Sequence, residues 1–296
     1  MARGVRSSVA TVNGRQVHYF TLRGTGDGPP ALLVHGLGGN ATSFNRILFP
    51  LARRFSRVIA PDLPGSGFSP LPSEGPVLMA EQLGVLAGFC QAVVGEPAFV
   101  VGNSLGGAMS ILLAHTTPKA VCALALISPA GAKVPRERLE ETLSALTLRN
   151  NADARHLLRR LFHRAPLPLL AVAPEFKKLY GTPAVRAVFE EVGQGTAGAI
   201  EPEILHGLKM PLLLIWGQSE KLLAYEGIEY FRAHLPPHAQ IQVVDGFGHI
   251  PQVERPGDVV QRLIAFADAS GLHGHGAGAE PLVPQAIAGA AGPETM

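Results

Sequence analysis

Short apolar runs and longer segments with apolar residues at helical spacing alternate along most of this chain. Residues 9–12 and 15–22 flank Asn13-Gly14, the strongest short-range signal for a β-hairpin. Residues 31–34, 58–60, 122–127, 212–216 and 241–244 read as strands. Residues 98–101 (Ala-Phe-Val-Val) are wholly apolar, as a strand buried on both faces should be. Between these runs the period changes. Residues 42–55 place Phe44, Ile47, Leu48 and Leu51 on one side of a helix, and residues 79–94, 105–117, 225–234 and 258–269 read as helices too. Strand and helix in turn predict an α/β fold with a mostly parallel sheet covered by helices.

The alternation stops after residue 131 and resumes at residue 210. The stretch 132–209 reads as helical and charged at first (136–149, 153–164), then apolar and Pro-rich (165–174), then helical again. The chain therefore divides into a first part of the sheet domain (1–131), a helical insertion (132–209), a second part of the sheet domain (210–270) and a tail (271–296). The tail is rich in Gly, Ala and Pro, has little to bury, and reads as disordered.

Composition narrows the classes. With 296 residues, 47% apolar and 16% charged, the chain can bury a sizeable core. A net charge of +2 gives no reason to expect a nucleic-acid partner. No stretch approaches the roughly 18 apolar residues of a membrane helix, and no apolar core of a secretory leader follows Met1-Ala2-Arg3. Cys90 and Cys122 lie in apolar segments and read as buried free thiols, so a soluble cytoplasmic protein is expected. No His/Cys/carboxylate cluster has metal-ligand spacing, and no metal or cofactor is expected.

Gly102-Asn103-Ser104-Leu105-Gly106 follows the apolar strand 98–101 and opens a helix. Gly-x-Ser-x-Gly is a weak pattern alone, but this context is what it requires. A sharp strand-to-helix turn lifts the serine Oγ above the sheet edge, and glycines on either side leave room for it. The helix N-terminus favours negative charge there. Ser104 is the candidate nucleophile.

A serine hydroxyl needs a base to remove its proton. Of the eleven histidines, His249 stands out, in the loop Gly246-Phe247-Gly248-His249-Ile250-Pro251 after the last strand. Loops at the carboxyl ends of parallel strands meet at one edge, where ligands bind. His115, His156, His163, His206, His234 and His238 read as structural or exposed, and His273 and His275 as part of the tail.

The chain resembles the α/β-hydrolase superfamily over about residues 10–270. The resemblance rests on His35-Gly36-Leu37-Gly38-Gly39, Asp62-Leu63-Pro64-Gly65-Ser66-Gly67-Phe68-Ser69, the Ser104 elbow, and Gly248-His249-Ile250-Pro251-Gln252-Val253-Glu254-Arg255-Pro256, in that order. It implies that 132–209 is a cap over the active site. Oxyanion donors would be the N–H of Leu105, after the nucleophile, and, by similarity, the N–H of Leu37. A phosphate cradle at residues 36–39 is excluded, since no Lys-Ser/Thr follows and Gly-x-Gly-x-x-Gly spacing is absent. The family usually carries an Asp after the strand that follows the cap. Here Trp216-Gly217-Gln218-Ser219-Glu220-Lys221 places Glu220 at that position. Glu220 is the expected acid, Asp245 its rival, and Asp62 reads as structural.

The function expected is hydrolysis of a carboxylic ester, of a lipid or small apolar molecule, by a Ser104–His249–Glu220 triad. Two alternatives remain. Asn103-Ser104 resembles the Gly-Asn-Ser motif of meta-cleavage-product hydrolases, which break C–C bonds, although those usually carry a Trp where this chain has Ile250. A non-catalytic receptor on the same fold is the other. Arg155, Arg159, Arg160 and Arg164 lie opposite Leu157, Leu158, Leu161 and Phe162 on one helix, a pattern that suits a cap helix with a solvated face and also permits peripheral contact with an anionic membrane. The apolar residues 167–172 read as cap core or as the lining of an acyl pocket.

Overall fold

A computed structural model describes residues 4–71, 78–195 and 198–272. Eight strands form one sheet: β1 (Val5–Val12), β2 (Arg15–Arg23), β3 (Ala31–Val34), β4 (Arg57–Pro61), β5 (Ala98–Asn103), β6 (Val121–Ile127), β7 (Leu212–Gly217) and β8 (Gln240–Val244). Their order is β1-β2-β4-β3-β5-β6-β7-β8. β1, β2 and β4 pair antiparallel, and from β4 to β8 every pairing is parallel. The β1–β2 hairpin turns on Asn13 (φ 50°) and Gly14 (φ 74°), as a tight turn with two left-handed residues requires.

Helices cover both faces because the central strands are apolar on both. On β6, Leu124 and Leu126 join one apolar cluster while Ala123, Ala125 and Ile127 join the other. The first cluster takes in α2 (Met79–Phe89) and α3 (Leu105–Thr116); the second takes in α1 (Asn45–Ala52) and α11 (Pro256–Ala269). The helix expected over 42–55 is split, because Asn40 and Ser43 form a capping box around a separate 3-10 turn, Ala41–Phe44. The helix expected over 79–94 ends in a π-helical turn, Cys90–Val94, closed by Gly95. Cys90 and Cys122 are free thiols, and burial pushes each up to about 12. Gly271 and Leu272 belong to the fold, since Leu272 is buried and its carbonyl accepts from Arg54. The rest of the expected tail, with His273 and His275, lies outside the described residues.

Between β6 and β7 run α4 (Arg136–Leu146), α5 (Asn151–Leu161), α6 (Ala173–Tyr180), α7 (Pro183–Gln194) and α8 (Pro202–His206). After β7 come α9 (Glu226–His234) and, before α11, the short α10 (Pro251–Glu254). α5 starts with a capping box between Asn150 and Asp153 and buries Leu157, Leu158 and Leu161 in a third cluster with Leu146, Phe162 and Tyr180. Arg155, Arg159 and Arg164 are exposed.

In the second cluster Phe99 on β5 is fully buried and stacks on Phe55 at a centroid distance of 5.2 Å. Phe99→Ala removes that ring from a fully buried site, and should lower the unfolding free energy by about 3–5 kcal/mol in a denaturant titration.

Candidate active site

Ser104 sits between β5 and α3 at φ 55°, ψ −122°. That conformation is costly for a residue with a side chain, on the order of 1–3 kcal/mol, and persists only where the surroundings fix it. Here they do. Ser104 N–H donates to Ile127 O at 3.1 Å, and its carbonyl accepts from Gly107 and Ala130, each at 2.9 Å. A Cβ on Gly102 would run into Gly106 O and Ser110 Oγ, so the turn closes only with glycine there.

Leu105 opens α3, and its N–H has no carbonyl of its own helix to bond. Gly36 packs against Ser104 so closely that a Cβ there would lie 2.9 Å from the serine Cβ. The loop 36–39 is set by His35. His35 Nδ1 meets the Gly36 carbonyl at 2.8 Å and Nε2 meets the Leu63 N–H at 3.0 Å. A carbonyl only accepts and an N–H only donates, so the proton is on Nδ1 and the ring is neutral. Burial, the largest influence on the ring, holds its pKa below the ordinary histidine value.

Glu220 and His249 meet through Oε2 and Nδ1 at 2.8 Å, with both side chains 3% exposed. Glu220 Oε1 accepts the N–H groups of Leu222 (2.8 Å) and Leu223 (3.0 Å). Burial pushes the Glu220 carboxyl up, but the charge of a protonated His249, its hydrogen bond and the two backbone donors outweigh that. The carboxyl lies below its ordinary value and is ionised at neutral pH. Nδ1 therefore carries a proton, and in the neutral ring Nε2 is left as acceptor. The rival acid, Asp245, is exposed and accepts the N–H of Gly246, capping its own turn. Asp62 accepts from the N–H groups of Ala41 and Phe68 and pairs with His18.

Three holders of the His249 loop escaped the sequence reading. Asn103 Nδ2 donates to the carbonyls of His249 and Ile127, both at 3.0 Å, and its Oδ1 accepts from Gln252 at 2.9 Å. The Leu161 carbonyl, at the end of α5, accepts the N–H groups of His249 (2.9 Å) and Ile250 (3.3 Å). The Glu254 carboxylate accepts from Gly248 on one side and from His163 and Arg164 on the other. A Cβ on Gly248 would lie 2.5 Å from His163 N. The one legible signal was position: Asn103 adjoins the nucleophile and Glu254 the histidine, but a buried amide aimed backwards at a carbonyl leaves no trace in spacing.

Ser104, His249, Leu37 and Leu105 all line one cavity of about 500 Å³. Its walls are apolar, with Leu146, Leu161, Phe162, Phe176, Val188 and Trp216 among them. Among the described residues no group of three or more His, Cys, Asp or Glu is placed to hold a metal ion, and no helix is long and apolar enough to cross a membrane.

The elbow serine, the carboxylate-held histidine and the N–H of Leu105 are thus gathered at one edge of a mostly parallel sheet. The model of the alpha/beta hydrolase family matches residues 31–262, and the chain belongs to that family. It is 28% identical over 257 residues to Lipase 1 of Psychrobacter immobilis, covering 83% of this chain and 79% of that one. It is 29% identical over 269 residues to 2-hydroxymuconate semialdehyde hydrolase of Pseudomonas putida, covering 84% and 91%. The crystal structure of a membrane phospholipase A, described as a bacterial virulence factor, superposes with a TM-score of 0.79 at 29% identity over 90% of this chain and 87% of that one.

The Glu220 carboxyl has a lowered pKa in the folded state, so it contributes stability that is complete above its unfolded value, near 4.3, and is lost as pH falls through the lower folded value. Unfolding titrations of wild type and Glu220→Gln in steps below pH 5 should show a smaller loss of stability with acid in the variant.

Proposed function

We propose that this hydrolase cleaves uncharged carboxylic esters with an apolar acyl part, through an acyl-Ser104 intermediate. The observation that carries the reading is the buried 2.8 Å contact between Glu220 and His249 at the floor of an apolar cavity that Ser104 also lines. His249 Nε2 takes the Ser104 proton as Oγ attacks the ester carbonyl, and Glu220 stabilises the imidazolium that forms. The N–H groups of Leu37 and Leu105 hold the oxyanion, a contribution of about 10²–10³ in rate for each donor. His249 then protonates the leaving alcohol. Water, deprotonated by the same nitrogen, releases the acid and restores the serine.

The helices between β6 and β7 act as the cap. Leu169 and Leu179 line the cavity, while Leu167 and Val172, in the same 3-10 helix as Leu169, stand exposed at 81% and 39%. Residues 154–180 carry six Lys or Arg and one Glu. An apolar, cationic outer face of this kind suits peripheral contact with an anionic lipid surface, from which an acyl chain passes to Ser104. Similarity to a lipase and to a membrane phospholipase supports the lipid-ester reading. The second reading, hydrolysis of a C–C bond, rests on Asn103-Ser104 and on the similarity to 2-hydroxymuconate semialdehyde hydrolase. The Asn103 amide is committed to His249 O, Ile127 O and Gln252, which weakens the motif as an argument for that chemistry.

Turnover of p-nitrophenyl esters from acetate to dodecanoate decides between the readings. The ester reading predicts kcat/KM rising with chain length until the cavity is filled. Glu220→Gln should lower kcat by about 10⁴ and Asp245→Asn by less than tenfold. Activity on a dienoate diketone with none on any ester would overturn the ester reading in favour of C–C cleavage.

A further inference from the structure

Away from Ser104, a serine, a histidine and an aspartate stand in a chain of contacts. Ser7 Oγ lies 2.7 Å from His18 Nε2, and His18 Nδ1 lies 2.8 Å from Asp62 Oδ2. Strand register brings them together. Ser7 on β1 is paired with Phe20 on β2 and Val9 with His18, so Ser7 and His18 are diagonal neighbours on one face. β4 is the other neighbour of β2, with Pro61 opposite Tyr19, and Asp62 follows it.

The proton positions are fixed by the partners. Asp62 is 1% exposed and accepts the N–H of Ala41 on Oδ1 (2.6 Å) and that of Phe68 on Oδ2 (2.9 Å). A carboxyl with this donor set is an ionised acceptor. It therefore takes the Nδ1 proton of His18, and Nε2 presents its lone pair to the Ser7 hydroxyl. His18 is buried, clasped edge-on by Phe20 and Phe68 at centroid distances of 4.9 Å each. Ser7 and Phe68 are exposed. An accessible hydroxyl on an oriented imidazole, beside an open aromatic face, is the arrangement that activates a nucleophile.

We propose that Ser7 is a second acylatable serine, which takes acyl or phosphonyl groups from activated donors such as aryl esters and fluorophosphonates. Ser7 Oγ attacks the carbonyl carbon, His18 Nε2 accepts the hydroxyl proton, and the aryl-oxide leaves as the new C–O bond forms. His18 returns the proton to the leaving group, so the products are O-acyl Ser7 and a neutral phenol. With a fluorophosphonate the P–F bond breaks, and fluoride and the proton leave. The Phe68 ring gives an aromatic part of the donor a face to lie on.

Ser7 differs from Ser104 in one respect that sets its role. It lies inside an edge strand, not at a helix N-terminus with orphan N–H groups, so a developing oxyanion has no such support. Each missing donor costs about 10²–10³. Attack is slower than at Ser104, and so is hydrolysis of the ester formed. The adduct accumulates, which makes Ser7 a modification site and not a second centre of turnover. The inference does not depend on the ester reading of Ser104.

The test uses the full chain carrying Ser104→Ala, treated in parallel with an alkyl fluorophosphonate and with p-nitrophenyl acetate, then mapped by peptide mass spectrometry. Ser8, the next residue on the same strand and on its opposite face, is the internal control. General-base assistance predicts labelling of Ser7 about 10²-fold faster than Ser8, lost in Ser104→Ala/Ser7→Ala. His18→Gln should bring Ser7 down to the rate of Ser8. Should that variant fail to fold, the Ser7-to-Ser8 ratio in Ser104→Ala still decides. Equal labelling of Ser7 and Ser8, or none on Ser7, overturns the proposal.

Discussion

The contact on which the rest of the site depends is the one between Glu220 and His249. A buried carboxylate is costly unless its oxygens are satisfied, and here each one is. Oε1 takes two backbone N–H groups from the loop that follows it, and Oε2 takes the imidazole. Glutamate is a methylene longer than the aspartate usual in the family, and the loop accommodates that length. The Glu220 N–H folds back to the Gly217 carbonyl, and the carboxylate turns to meet the N–H groups two and three residues ahead. The carboxylate is thereby held by its own loop, and its other oxygen fixes the imidazole through Nδ1.

The backbone of His249 is held from two other directions, one in the sheet domain and one in the helices between β6 and β7. Asn103 ties the His249 carbonyl to the residue before the nucleophile, while the last carbonyl of α5 ties down its N–H. Glu254 spans the same seam, with donors from Gly248 on one side and from His163 and Arg164 on the other. Lys221, beside the acid, donates to the His163 carbonyl. This end of the helices between β6 and β7 is thus tied to the segments that carry Glu220 and His249. At the other end, Leu179 both lines the cavity and reaches the surface.

Much of this was legible in the residues, and what was not has a physical reason. The short apolar runs announced the central strands because both faces of the sheet are buried, and the helical spacing announced the helices because one side of each is. Ser104 and His249 were legible because their chemistry demands a turn at a strand end, and turns leave glycines behind. Glu220 was expected by position, and only side-chain geometry shows that it, and not Asp245, meets His249. The boundaries at residues 42–55 shifted because a local capping box on Asn40 outcompeted one continuous helix. The clamps of Asn103, the Leu161 carbonyl and Glu254 were hidden, because they join backbone groups distant in sequence. The Ser7–His18–Asp62 cluster was hidden for a related reason: it depends on a diagonal across one strand pair and a loop beyond the next, and no local spacing records it.

The central claim is that Ser104, activated by the histidine that Glu220 holds, carries the acyl group between the two halves of the reaction. Acid-quenched rapid mixing with a p-nitrophenyl ester, followed by peptide mass spectrometry, tests it most directly. The account predicts one acyl group on the peptide containing Ser104, formed within the first turnover and absent from Ser104→Ala, which should lose about 10⁶ in kcat. Undiminished turnover by Ser104→Ala, with no adduct on Ser104 in the wild type, would contradict it.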